Sequence, residues 1–200
     1  MIFIDKEKIL SMTPHFGKIE SNLFTKKEFE VLLNFRPISG QKRFVPCRNH
    51  TRYEWNRVAW QTDISSWPHK YMKDVINKTS IYFRECSKIN KKINEFSLML
   101  EDLLKKPIDC HIYYSHNAKS ENFGKHNDEN DNVIVCTEGT QNCEVFGKKK
   151  ISKVMEPGDY VFIPRKIDHK ITPLQDKRIS LSFCASENNP NFEDRGWITL

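Results

Sequence analysis

The chain has 200 residues, an apolar fraction of 38% and a formal charge of +6, long enough for one cored domain with or without an extension. Its 13 Phe, 6 Tyr and 4 Trp concentrate apolar area in few side chains, which argues against a disordered chain. The 23 Lys and 9 Arg are scattered apart from Lys148, Lys149 and Lys150; this pattern reads as a solvated surface, and no zinc finger, arginine-rich tract or aromatic RNP-like motif supports nucleic acid as a partner.

The first residues, MIFIDKEKIL, lack an apolar stretch long enough for a signal peptide, and no later segment approaches a membrane span. Thr25 is placed to cap a helix over KKEFEVLLNF, SSWPHKYMKDVINKT reads as a second helix start, and INKKINEFSLMLEDLLKK has apolar residues near 3.6 spacing and a basic end. Residues 36 to 70 have neither period but contain Trp55, Trp60 and Trp67, whose expected role is packing onto the domain; Trp60 and Arg57 are minor candidates for a substrate-lining wall.

Near residue 107 the texture changes. DCHIYYS, NVIVCTEG, NCEVFGK, SKVMEPGD, YVFIPR, HKITPL and RISLSFCAS are short, rich in β-branched and aromatic residues, and separated by Gly, Pro, Asn or charged turns. That spacing predicts a mostly β protein built on a double-stranded β-helix, the jelly-roll or cupin barrel, with an α-helical N-terminal extension packed on it. The expected organisation is a mainly helical extension over 1–106, the barrel over 107–187 and a short tail over 188–200. None of the six cysteines forms a CxxC pair and several lie in apolar runs, so buried free thiols in a reducing compartment, the cytoplasm, are expected.

His126 and Asp128 stand two apart just before one strand, and His169 follows PGDYVFIPRKID. Two imidazoles and a carboxylate on one side of a metal leave the opposite positions open, as a non-haem Fe(II) centre needs to bind substrate and dioxygen. His15, His50, His69 and His116 have no partner at ligand spacing and are expected to be structural or exposed. His111 shares a strand face with Tyr113 and Ser115 and is a candidate for the cavity.

Such iron commonly takes its electrons from 2-oxoglutarate, whose far carboxylate requires a cation in a dry pocket, ideally a guanidinium. In KRISLSF, Arg178, Ser180 and Ser182 share one strand face and Ile179, Leu181 and Phe183 the other. A charge inside a barrel is not tolerated without a partner, which makes Arg178 the candidate anchor.

HNDENDNVIVCTEGTQNCEVFG and MEPGDYVFIPRKIDHKITP, with DCHIYYS before them, resemble in order the motifs of the JmjC and cupin-type 2-oxoglutarate oxygenases, especially the small hydroxylases related to the factor-inhibiting-HIF asparaginyl hydroxylase and the ribosomal oxygenases. The resemblance covers about residues 92 to 184. It implies that His126, Asp128 and His169 ligate Fe(II), that Tyr113 contacts 2-oxoglutarate, and that Asn132 lies near the cosubstrate.

One departure concerns the anchor. The family's usual lysine falls on Gln141 here, whereas Arg178 and Ser180 are similar to the RxS arrangement of another branch. Either Arg178 holds the cosubstrate, or one of Lys148 to Lys150 reaches in, or 2-oxoglutarate is not used. The implied function is hydroxylation of a side chain of a protein or peptide, such as a ribosomal protein, with dioxygen as co-reactant; a homodimer through the helices is open. Competing classes are a metal-binding cupin without 2-oxoglutarate, either an isomerase or a cosubstrate-free dioxygenase, and a non-catalytic binding module.

Overall fold

The computed structural model of the chain describes residues 4–20, 22–34, 44–46, 69–84 and 86–186. Among these residues the elements run α1 (Lys6–Leu10), β1 (His15–Lys18), α2 (Lys26–Asn34), β2 (Phe44–Pro46), α3 (His69–Lys78), β3 (Ile81–Phe83) and α4 (Lys91–Leu104). The chain continues through β4 (Ile108–Ser115), β5 (Asp131–Glu138), β6 (Gln141–Phe146), β7 (Lys150–Met155), β8 (Asp159–Ile163), β9 (Asp168–Pro173) and β10 (Arg178–Ala185).

Local chemistry sets the helix starts. Thr25 and Glu28 form a reciprocal box: the Thr25 backbone N–H donates to Glu28 Oε2 at 2.7 Å, and the Glu28 N–H donates to Thr25 Oγ1 at 3.3 Å. At α4 the Asn90 side chain accepts from the Ile93 N–H at 2.8 Å, and the helix ends at Lys105, which takes a left-handed φ of 54°. In the EPGD turn before β8, Gly158 has φ +91°, and a Cβ there would come within 2.9 Å of the Ile19 carbonyl oxygen, so the turn admits only glycine without strain.

The strands make two antiparallel sheets. The large one has the order β1-β8-β5-β10-β4-β3-β2 and the small one β7-β6-β9. The small sheet is extended past β9 by the segment carrying His126, where the His126 N–H donates to the His169 carbonyl at 3.0 Å and the His169 N–H donates to the His126 carbonyl at 2.7 Å. This is the expected double-stranded β-helix, with one of its short strands reduced to a single bridge. No helix among the described residues is long and apolar enough to cross a membrane.

Strand alternation sends side chains into two separate cores. Ile134, Cys136, Cys143, Val145, Met155, Val161 and Ile163 cluster between the two sheets. Val133, Val135, Ile179, Leu181 and Phe183 leave the opposite face of the large sheet and pack with Phe29, Ile93, Phe96 and Leu100 of the helices. Phe96 meets Phe183 edge-on at 4.7 Å between ring centroids. The helices therefore cover the outer face of the large sheet, as the alternation in β10 predicts.

The chain ahead of residue 107, expected to be mainly helical, also supplies three strands to the large sheet. β1 pairs with β8 at one edge, and β3 pairs with β4 at the other, with β2 beyond it. Each spans only three or four residues, too few for alternation to be visible in the sequence. Cys86, Cys110, Cys136, Cys143 and Cys184 are free, and all but Cys184 are buried; burial pushes the Cys136 and Cys143 thiols up to about 12. Cys47, Trp55, Trp67 and the 188–200 tail lie outside the described residues.

Candidate metal centre

The large sheet presents one row of polar side chains to the interior. Because β10 pairs with β4 in the register Arg178↔Ser115, Ser180↔Tyr113 and Ser182↔His111, the inward residues of the two strands stand side by side. Opposite them, β9 and the bridged segment before β5 bring in His169, His126 and Asp128.

These three residues offer ligand atoms that all lie within 4.8 Å of one another. His126 Nε2 is 3.9 Å and His169 Nε2 is 3.5 Å from oxygens of Asp128. Each imidazole is fixed by its other nitrogen: His126 Nδ1 donates to the Gly124 carbonyl and His169 Nδ1 to the Ile167 carbonyl, both at 3.1 Å. That selects the tautomer with its lone pair on Nε2, the nitrogen that faces Asp128 in both residues. Burial first, and then the neighbouring His126, hold the His169 imidazole below its usual range, which keeps it in the neutral form that binds a metal.

The carboxylate is held as firmly. Asn132, buried on β5, donates Nδ2–H to Asp128 Oδ2 at 2.7 Å. The segment is tied to β9 by Asn127, which donates to Asp168 Oδ1 at 2.9 Å, and by the Lys125–Asp168 ion pair at 3.1 Å. The Asn127 hydrogen bond and then Lys125 hold the Asp168 carboxyl below its usual value. Asp128 remains 41% exposed while His169 is 2% exposed, so solvent reaches the cluster from its Asp128 side. Two imidazoles and one carboxylate, oriented in advance by their hydrogen bonds, suit a divalent ion of borderline softness such as Fe(II).

The triad lines a cavity of about 510 Å³, measured with its open mouth, together with Tyr113, Phe123, Ile134, Arg178, Ser180 and Ser182. Arg178 is 2% exposed. Its Nη1 donates to Ser180 Oγ and its Nη2 to Ser115 Oγ, each at 2.6 Å. The Glu138–Gly139 turn presses against it: Gly139 has φ +67°, and a Cβ there would stand 3.1 Å from Arg178 Cα. A buried guanidinium and a three-ligand cluster thus occupy one chamber, which can bind a molecule carrying a chelating end and a distal anion.

The sequence-derived candidates separate at this point. His126, Asp128, His169, Arg178, Ser180 and Tyr113 come together on the cavity wall. Asn132 sits behind the wall, supporting Asp128. Gln141 is fully buried within the small sheet, its Nε2 directed at Met155 Sδ at 3.7 Å, and is not part of the wall. His111 shares the inward face of β4 but turns to Asp109, 2.9 Å away, and to the Tyr82 ring. The Lys148–Lys150 run is exposed, and Lys150 pairs with Glu144 at 2.6 Å. Arg57 and Trp60 lie outside the described residues. His15 and His116 are held by a backbone carbonyl and by Tyr114, respectively. Sequence reasoning missed Phe123, which packs edge-on against His126 at 5.4 Å, and Ser80; the only hint was the proximity of Phe123 to the HxD pair.

The fold and the cavity together define a double-stranded β-helix of the jelly-roll or cupin type, with a cluster of potential metal ligands and a buried guanidinium on its inner wall. Among solved structures, the chain is similar to the ribosomal oxygenase YcfD from Escherichia coli in complex with cobalt and succinic acid, at 17% identity and a TM-score of 0.61 over 95% of this chain and 53% of that one. The same protein in complex with cobalt and 2-oxoglutarate gives 16% identity and a TM-score of 0.60 over 95% and 54%. This chain therefore spans about half the length of that protein, and the likeness is one of fold. No family model matches the sequence, and no curated protein matches it.

Proposed function

We propose that this chain is an Fe(II)- and 2-oxoglutarate-dependent oxygenase that hydroxylates a side chain of a protein or peptide, with a ribosomal protein as the leading substrate. The observation that carries this reading is the shared chamber: a His-Asp-His cluster with an open side, and a buried guanidinium on the same wall. The YcfD structures, described with cobalt and with 2-oxoglutarate or succinic acid, support it through the fold.

In this reading, bound iron with 2-oxoglutarate and dioxygen supplies the oxidising power for hydroxylation, with succinate and carbon dioxide as co-products. The protein contributes placement and polarity. His126 and His169 present Nε2 lone pairs, Asp128 presents a carboxylate oriented by Asn132, and Arg178 with Ser180 receives the distal carboxylate of the cosubstrate. Tyr113, on the same wall, borders the cosubstrate. In this reading 107–187 is the catalytic barrel and 1–106 its extension, the described helices and strands of which cover and extend the large sheet; the protein acts in the cytoplasm.

The deciding experiment is incubation of the iron-loaded protein with 2-oxoglutarate and dioxygen, with and without candidate ribosomal proteins. Succinate formation is expected, accompanied by a gain of one oxygen atom on a substrate protein. Absence of succinate under every condition would reject the oxygenase reading in favour of a cupin that holds its metal without 2-oxoglutarate, the reading favoured by the uncharged, buried Gln141 at the family's lysine position.

A further inference from the structure

The anchor is more extensive than the pair Arg178 and Ser180, and part of it comes from outside the barrel. Ser80 immediately precedes β3, in the segment ahead of the jelly-roll strands. It is 1% exposed, yet it lines the cavity. Its Oγ is 2.7 Å from Ser115 Oγ, and Ser115 Oγ accepts from Arg178 Nη2 at 2.6 Å.

Proton counting assigns directions along this chain. A serine hydroxyl has one proton to give. Ser115 is fully buried and is not on the cavity wall; its Oγ accepts a hydrogen bond from the guanidinium, and although either hydroxyl of the Ser80–Ser115 pair can donate, donation from Ser115 to Ser80 is the direction that gives the buried Ser115 proton an acceptor. The proton of Ser80 then has no further acceptor among the described residues and is directed to the cavity that Ser80 lines. Ser180 is in the same position, since it accepts from Arg178 Nη1 at 2.6 Å and also lines the wall. One guanidinium thus polarises two hydroxyls, each with a proton to donate to whatever lies between them.

Resting on the 2-oxoglutarate reading above, we infer that Ser80 donates a hydrogen bond directly to the carboxylate held by Arg178, which makes the segment ahead of the barrel part of the cosubstrate site. The backbone fits this role. The Ser80 N–H donates to the Glu121 carbonyl at 2.7 Å, and the Glu121 N–H donates to the Lys78 carbonyl at 2.9 Å. Ser80 is thereby fastened to the loop that continues through Phe123 to His126, so one junction positions both the anion end and the entry to the metal end.

The test is calorimetric binding to the full chain loaded with Mn(II) without oxygen, which requires no turnover. Two probes are compared: 2-oxoglutarate, and 2-oxopentanoate, which has the same five carbons but a methyl in place of the distal carboxylate. Ser80→Ala is expected to weaken 2-oxoglutarate roughly tenfold or more, the scale of a hydrogen bond to a charged group, while leaving 2-oxopentanoate and Mn(II) affinities unchanged; Ser80→Thr is expected to restore binding. Equal weakening of both probes would reduce Ser80 to a structural residue and overturn the inference. Unchanged 2-oxoglutarate binding in Ser80→Ala alongside a large loss in Arg178→Ala would overturn the role of Ser80 but leave the anchor standing. If the wild type fails to bind 2-oxoglutarate, or Arg178→Ala binds it normally, the function proposed above falls together with the inference.

Discussion

Asn132 donates its side-chain amide to Asp128 Oδ2 at 2.7 Å, and through that bond the interior strand β5 orients the carboxylate that stands beside His126 and His169. A candidate ligand on an irregular segment is thus oriented by a residue on rigid sheet. Partners of this kind fix ligand geometry and contribute about 10- to 100-fold to metal affinity. Asn132→Ala should lower Co(II) affinity by that order, read from the visible absorption of the bound ion during titration; an unchanged titration curve would show that Asp128 orients itself.

Arg178 has the corresponding role at the other end of the chamber. On the proposed 2-oxoglutarate reading, Arg178→Ala should weaken 2-oxoglutarate by about 100-fold or more, since the charge-assisted contact to its distal carboxylate would be lost, and should leave Co(II) affinity within about twofold. Equilibrium binding of each ligand to the variant separates the two effects. Comparable loss of both would mean that the substitution collapses the cavity rather than removing an anchor.

His169 gives the metal-free protein a pH signature. Burial, followed by the nearby His126, lowers its pKa from 6.5, so between 6.5 and the lower folded value the unfolded chain binds more protons than the folded one. Its contribution to stability is complete above about pH 6.5 and declines as pH falls through that window. Urea midpoints of the metal-free protein should therefore drop between pH 7 and pH 5, with a shallower drop in His169→Gln. The same variant should not retain Co(II). Parallel pH profiles would assign the effect to other groups.

Phe183 tests the outer face of the same strand. It is fully buried and meets Phe96 at 4.7 Å, and Phe183→Ala should cost about 3 to 5 kcal/mol in denaturant unfolding. Its neighbour Ser182 faces the cavity, so the folded variant should keep its Co(II) affinity. A loss below about 1 kcal/mol would mean that α4 closes over the void.

Much of this was legible because strands write their two faces at a period of two. In RISLSFCA the alternation of Arg178, Ser180 and Ser182 with Ile179, Leu181 and Phe183 announced both the cavity wall and the helix-packing face. The order of HxD, PGD and the later histidine carried the ligand triad. β1 and β3 were not legible, because HFGK and IYF are too short to display a period and gain their stability from pairing with β8 and β4. Asn132 was singled out by resemblance as a neighbour of the cosubstrate, and the structure adds that its amide donates to the candidate ligand Asp128, a contact that no local pattern shows. His111 was read as a possible cavity residue, but an aspartate two residues away on the same face takes its imidazole.

Sequence by itself determined the barrel strands, the helix cap at Thr25, and the identity of the candidate ligands, because alternation, capping and donor type are properties of residues and their near neighbours. Tertiary structure decided what those residues do together. It set the distance from Asp128 to two imidazoles far along the chain, excluded Gln141 from the wall, and brought Ser80 through Ser115 to Arg178. Such contacts depend on strand register and sheet closure, which bring together residues that no local pattern links.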